Sequence, residues 1–123
     1  MVQQHLHWKD FELLISLIFE QTGWRRVSSL GGVQEFTDLD VENFVSKERA
    51  SVQIKSETSQ AELNEYIEKF ESRKQYQRFI FAAHKPRTEL QAAHPYVHVW
   101  TGAKLAELIV RSGLGTWVES KVV

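Results

Sequence analysis

From residue 8 to residue 22 apolar positions recur at helical spacing. Phe11, Leu14, Ile15, Ile18 and Phe19 form one stripe, and Leu13 and Leu17 widen it. Such a stripe predicts a helix buried over most of its surface, with Gly23 as its stop. The period then shortens to two. WRRVSSL (24–30), EFTDLDVENFV (35–45) and ASVQIKS (50–56) read as strands, and the turn SKER joins the last two into a hairpin. Ser59, with Glu62 three residues later, opens a second helix through a capping box. Leu63, Tyr66, Ile67 and Phe70 are its apolar stripe, and Glu62, Glu65, Glu68 and Glu71 lie largely off it. A strand YQRFIFAA (76–83), a polar loop HKPRTELQAAHP, a strand YVHVW (96–100) and a helix TGAKLAELIVRSG (101–113) follow, the last capped by Thr101 and ended by Gly113. The expected order is α-β-β-β-α-β-β-α. Its natural packing is an α/β fold, one mixed sheet flanked by helices.

A chain of 123 residues suits one domain, so residues 1–123 are expected to form a single unit. The 42% hydrophobic and 25% charged content is that of an ordinary globular protein. Without cysteine, disulfides and thiolate metal sites are excluded, and a cytoplasmic location is expected. The longest apolar run, LLISLIF, is too short to span a bilayer, and MVQQHLHWKD has no signal-peptide core. A net charge of −1 provides no global field for nucleic acid, so any DNA contact has to come from a local patch.

Lys55 interrupts an otherwise apolar strand. Val52 and Ile54 point to one face, Gln53 and Lys55 to the other. A cation there calls for negative groups nearby. Alternation in EFTDLDVENF puts Asp38, Asp40 and Glu42 on a common face. If the hairpin aligns that face with Gln53 and Lys55, the oxygens suit Mg²⁺ or Mn²⁺. The Lys ammonium would then orient a water or offset charge on a phosphate, the groups needed for metal-assisted phosphodiester hydrolysis. A solvated sheet face carrying the same residues is the plain alternative.

The order of these motifs resembles the restriction-endonuclease-like superfamily with its PD-(D/E)XK signature, in particular the Mrr-like branch. DFELLISLIFEQTGW is similar to the family's opening helix, TDLDV to the strand bearing its metal-binding Asp, and VQIK to the branch's Gln-x-Lys variant. HVWTGAKLAELIVRSG resembles the closing strand and helix, so the likeness spans about residues 8 to 115. It implies a three-layer restriction-endonuclease-like fold and a Mg²⁺-dependent DNA endonuclease. It also implies Asp40 and Gln53 as metal ligands, Lys55 as the catalytic Lys and Glu12 as an acidic residue assisting the metal. In QEFTD, Asp38 stands where a small residue is usual, which makes it the alternative ligand. Ser56 and Glu57 follow Lys55 where relatives often carry basic residues.

Two further readings stay open: a binding module that keeps the fold with little metal affinity, and a junction-resolving nuclease. Two cuts in a duplex imply a homodimer, and so short a chain takes specificity from this domain or from a partner protein. The remaining features point to less. His5 and His7 lie near the N-terminus, and His94 and His98 straddle Pro95 at a strand start, so no helical i, i+4 pair forms for zinc. Trp24, Tyr66 and Trp100 are read as core, and Arg25, Arg26, Lys85 and Arg87 as surface charges within reach of phosphates.

Overall fold

The computed structural model describes residues 6–27 and 39–122. The first helix, α1, runs Trp8–Gln21 and buries the expected stripe of Phe11, Leu14, Ile15, Ile18 and Phe19. Gly23 follows at φ +89°, a left-handed conformation that a side chain would resist. The strands are β1 (Trp24–Arg26), β2 (Leu39–Asn43) and β3 (Arg49–Thr58). The helix α2 (Gln60–Glu71) leads into β4 (Arg78–Pro86) and β5 (Val97–Trp100). Two helices close the chain, α3 (Gly102–Arg111) and α4 (Gly115–Lys121).

Among the described residues, five strands form one mixed sheet in the order β1-β2-β3-β4-β5. The first three pair antiparallel, and β3, β4 and β5 pair in parallel. Strand β3 is therefore central, and its alternate side chains enter two different cores. Ala50, Val52 and Ile54 point into the layer of α1, α3 and α4 and pack with Leu14, Ile18, Leu105 and Val118. The opposite face, with Phe79, Phe81 and Ala83 of β4, is covered by Leu63 and Phe70 of α2. The result is a three-layer α/β arrangement, with a five-stranded mixed sheet between helices.

Several details differ from the sequence expectation. Strand β4 continues to Pro86 because it pairs with β3 as far as Thr58. The loop before β5 is correspondingly shorter. It is fixed to α2 by a reciprocal clamp, in which Gln60 Nε2 donates to the Gln91 carbonyl (2.8 Å) and the Gln91 amide donates to Gln60 Oε1 (2.9 Å). Ser59 accepts from the Glu62 amide, as a capping residue should, but the Glu62 carboxylate accepts from the Thr58 hydroxyl (2.9 Å). Thr101 occupies the N-cap of α3 without a side-chain cap bond. Helix α4 had no counterpart in the expected order; Val118 anchors it in the larger core. The strand expected at 24–30 is described only to Val27. All of 28–38, including Asp38, lies outside the described residues, as does His5. Among the described residues no helix is long and apolar enough to cross a membrane.

Candidate functional site

The β2–β3 hairpin closes through its own side chains. Asn43 Oδ1 accepts from the amides of Val45 (2.9 Å) and Ser46 (3.0 Å), and Lys47 takes a left-handed φ of +66°. This turn fixes the register: Asp40 stands opposite Ser51, and Glu42 opposite Arg49. Residues directly opposite share a face, so Asp40 and Glu42 lie on the same side of the sheet as Arg49, Ser51, Gln53 and Lys55. That side is the α2 side. For Asp40 and Glu42 the expectation that the acidic face and the Gln53/Lys55 face coincide is met, while Asp38 lies outside the described residues.

Within that face the groups separate into two parts. Asp40 is 6% exposed and occupied. Its Oδ2 accepts from Arg49 Nη2 at 2.7 Å and from the Tyr76 hydroxyl at 3.2 Å. The Arg49 guanidinium also lies over the Tyr76 ring, 5.7 Å from its centroid. Burial, with the Asp40 carboxylate adding to it, pushes the Tyr76 phenol above the usual tyrosine range, so it stays a hydrogen-bond donor at neutral pH. Asp40 Oδ1 and the Ser51 hydroxyl are both buried and have no hydrogen bond among the described residues. A groove of about 580 Å³ opens beside Tyr76, lined also by Arg73, Gln77, His94 and Tyr96.

The other part centres on Lys55, four residues beyond Ser51 and so about 13 Å along β3. Gln53 is 7% exposed and lies between the two parts. The Lys55 ammonium stands 3.7 Å from Glu62 Oε2 and 5.2 Å from the centre of the Tyr66 ring. Its side chain is 26% exposed, enough for an anion in solvent to reach it. Leu39, the first described residue of β2, is opposite Val52. Gln53 therefore faces beyond the described end of β2.

Glu12 sits on the exposed side of α1, and α1 packs on the sheet face opposite Gln53 and Lys55. Among the described residues no group of three or more His, Cys, Asp and Glu side chains could hold a metal ion. Hard oxygen donors on this face suit Mg²⁺ or Mn²⁺ in kind. Asp40 fits poorly as a ligand, because a divalent ion on Oδ1 would sit next to the guanidinium already bound to Oδ2.

Other candidates fall into structural roles. Trp100 is buried in the core, and Tyr66 is half-buried against Phe79 and Phe81. His94 is 3.7 Å from Glu71, and His98 Nε2 lies 3.2 Å from Arg78 Nη1. Arg25 pairs with Glu42 and Arg87 with Glu57. Sequence reasoning missed Arg49 and Tyr76. The signal for Arg49 was a second cation at the start of the strand, two residues before Ser51 on the same face as Lys55. Tyr76 precedes β4 and carried no sequence signal at all. No family model, curated protein or solved structure matches the chain.

Proposed function

We propose that this chain is a metal-dependent endonuclease acting on DNA, with a restriction-endonuclease-like fold. The observation that carries the reading is the placement of Gln53 and Lys55 side by side on one face of a central strand, with the Lys within reach of solvent. The element order supports it, since α1, the three strands, α2, β4, β5 and α3 follow the sequence expected for that fold.

The metal, Mg²⁺ or Mn²⁺, is assigned to Asp38 and Gln53. Asp40 is held by Arg49 and Tyr76, and Glu12 belongs to the other layer, so neither is given a ligand role. Bound there, the ion would supply Lewis acidity and lower the pKa of a coordinated water. Lys55 orients the attacking water and offsets the negative charge that develops on the phosphate. Glu62 holds the Lys55 ammonium in place while no substrate is bound. Two cuts in a duplex require two copies of this site, and a two-fold homodimer provides them. The test is nicking of supercoiled plasmid in Mg²⁺ by the purified wild-type chain, with chelator as the control.

A second reading, a nuclease-fold module that binds without cutting, is favoured by one observation. Both Asp40 and Lys55 already have partners of opposite charge, Arg49 and Glu62. Nucleic-acid binding without metal-dependent nicking would select it.

A further inference from the structure

The groove of about 580 Å³ beside Tyr76 has no role in the proposed metal site. It lies where the end of α2 meets the chain entering β4 and β5, near Arg49 at the start of β3. Lys55 is six residues further along that strand, about 20 Å away. Rings form much of the groove wall. Phe70 is buried, stacked on Phe79 at 5.8 Å and edge-on to His94 at 5.5 Å between centroids. The Arg49 guanidinium lies over the Tyr76 ring, and that of Arg78 lies 5.8 Å from the centre of the Tyr96 ring. Tyr96 is still 52% exposed, so a ligand can reach its ring.

Two hydrogen-bond donors on this wall are oriented by backbone. The Arg49 amide donates to Gln77 Oε1 at 2.7 Å, and the Gln77 amide donates back to the Arg49 carbonyl at 2.9 Å. The first bond assigns the side-chain oxygen, so Nε2 is the end that remains, with two hydrogens to give. It has no acceptor among the described residues. The Tyr96 amide donates to His94 Nδ1 at 3.1 Å, which leaves Nε2 as the nitrogen carrying hydrogen. Glu71 Oε2 is 3.7 Å from it, beyond hydrogen-bond length. Arg73 and Lys74 add positive charge, whereas the Glu48 carboxylate is already paired with Arg78 at 3.1 Å. Ring faces, fixed donors and cations together call for a flat ring with acceptor atoms and an attached anion. A nucleotide has all three, since its base stacks, its ring nitrogens accept and its phosphate is negative.

We infer that this groove is a nucleotide-binding site, with the base against Tyr96 and Tyr76, its edge towards Gln77 and His94, and the phosphate towards Arg73 and Lys74. The site is separate from Lys55 and does not depend on the nuclease reading. Its occupant is a free nucleotide or one unit of a single strand, because both present the same base and phosphate.

The experiment is NMR titration of the isotope-labelled chain with dAMP in EDTA. Saturable shifts are expected at the Gln77 side-chain amide and the Tyr96 backbone amide, without comparable shifts at Lys55. Ribose 5-phosphate, which lacks the base, is expected to leave these signals in place. Tyr96→Ala is expected to weaken dAMP binding at least about fivefold, the low end for loss of one stacking ring. Gln77→Glu keeps an oxygen for the Arg49 amide but removes the donor, so it should weaken binding as well. Signal dispersion in the same spectra checks that each variant is folded. A short oligodeoxyadenylate separates the two sources. Binding tighter than dAMP identifies a strand unit, and equal or weaker binding a free nucleotide; either supports the site. No saturable shifts with dAMP or the oligonucleotide, equal shifts with ribose 5-phosphate, or both variants within about twofold of wild-type affinity would each overturn the inference. Plasmid nicking in Mg²⁺ is scored separately: dAMP binding without nicking removes only the nuclease reading, and nicking without dAMP binding removes only this one.

Discussion

Arg49 reaches past Glu42, its direct neighbour across the hairpin, to pair with Asp40 at 2.7 Å. The contact gives Asp40 a structural partner, and in the proposed function the metal role passes to Asp38. Asp40→Asn is therefore expected to weaken the fold, because it removes a buried, charge-assisted bond. The loss should be about 1–3 kcal/mol in urea denaturation. Asp38→Asn is expected to fold normally and to lose nicking activity. The reverse pattern, a stable but inactive Asp40→Asn, would restore Asp40 as the ligand.

In the proposed site, residue 53 is expected to set metal affinity. A Gln amide offers a metal one neutral oxygen, where a Glu carboxylate offers two oxygens and a negative charge. The wild type is expected to bind Mg²⁺ weakly, and Gln53→Glu to bind it more tightly in isothermal titration. Equal heats for the two proteins would remove Gln53 from the metal site.

The pH dependence of stability has a local source at His98. Burial, then the charges of Arg78 and Lys104, lower its pKa below the usual histidine value. Arg78 can only donate, so His98 Nε2 is the acceptor of their 3.2 Å contact and the ring is neutral. A lowered folded pKa means that the unfolded chain binds the proton more readily. The stability from this group is thus complete above about pH 6.5 and is lost as pH falls from there through the folded pKa. In His98→Gln the slope of stability against pH between 7 and 5 should be shallower. NMR titration of the ring should give a midpoint below that of a free histidine.

The Gln60–Gln91 clamp joins the loop between two parallel strands to α2 through two hydrogen bonds. Gln60→Ala is expected to cost about 1 kcal/mol and to speed hydrogen exchange at the Gln91 amide. Exchange at the core Phe81 amide should change much less.

Much of the fold was legible because periodicity reports burial directly. The stripe on α1 and the alternation through Val52, Gln53, Ile54 and Lys55 led to the correct faces. What failed had physical reasons. Helix α4 is seven residues long, too short to display a period; Val118 is its buried side chain, and Trp117 packs partly against the same core. Strand β4 runs on through Lys85 and Pro86 because partner backbone, not side-chain pattern, extends it. In the candidate site the shared face of Asp40, Gln53 and Lys55 followed from alternation, whereas the register did not. Pattern alone could not tell that Asp40 faces Ser51, or that Arg49 and Tyr76 bind it.

The central claim is that Lys55 acts in phosphodiester hydrolysis, and Lys55→Ala tests it most directly. In a nicking assay on supercoiled plasmid in Mg²⁺, with Mg²⁺ affinity measured in parallel, the variant should keep the metal and lose turnover by at least about 100-fold, as expected for removal of a group that assists the transition state. Nicking within about twofold of the wild type would contradict the claim, since a group whose loss changes the rate so little contributes almost nothing to the barrier.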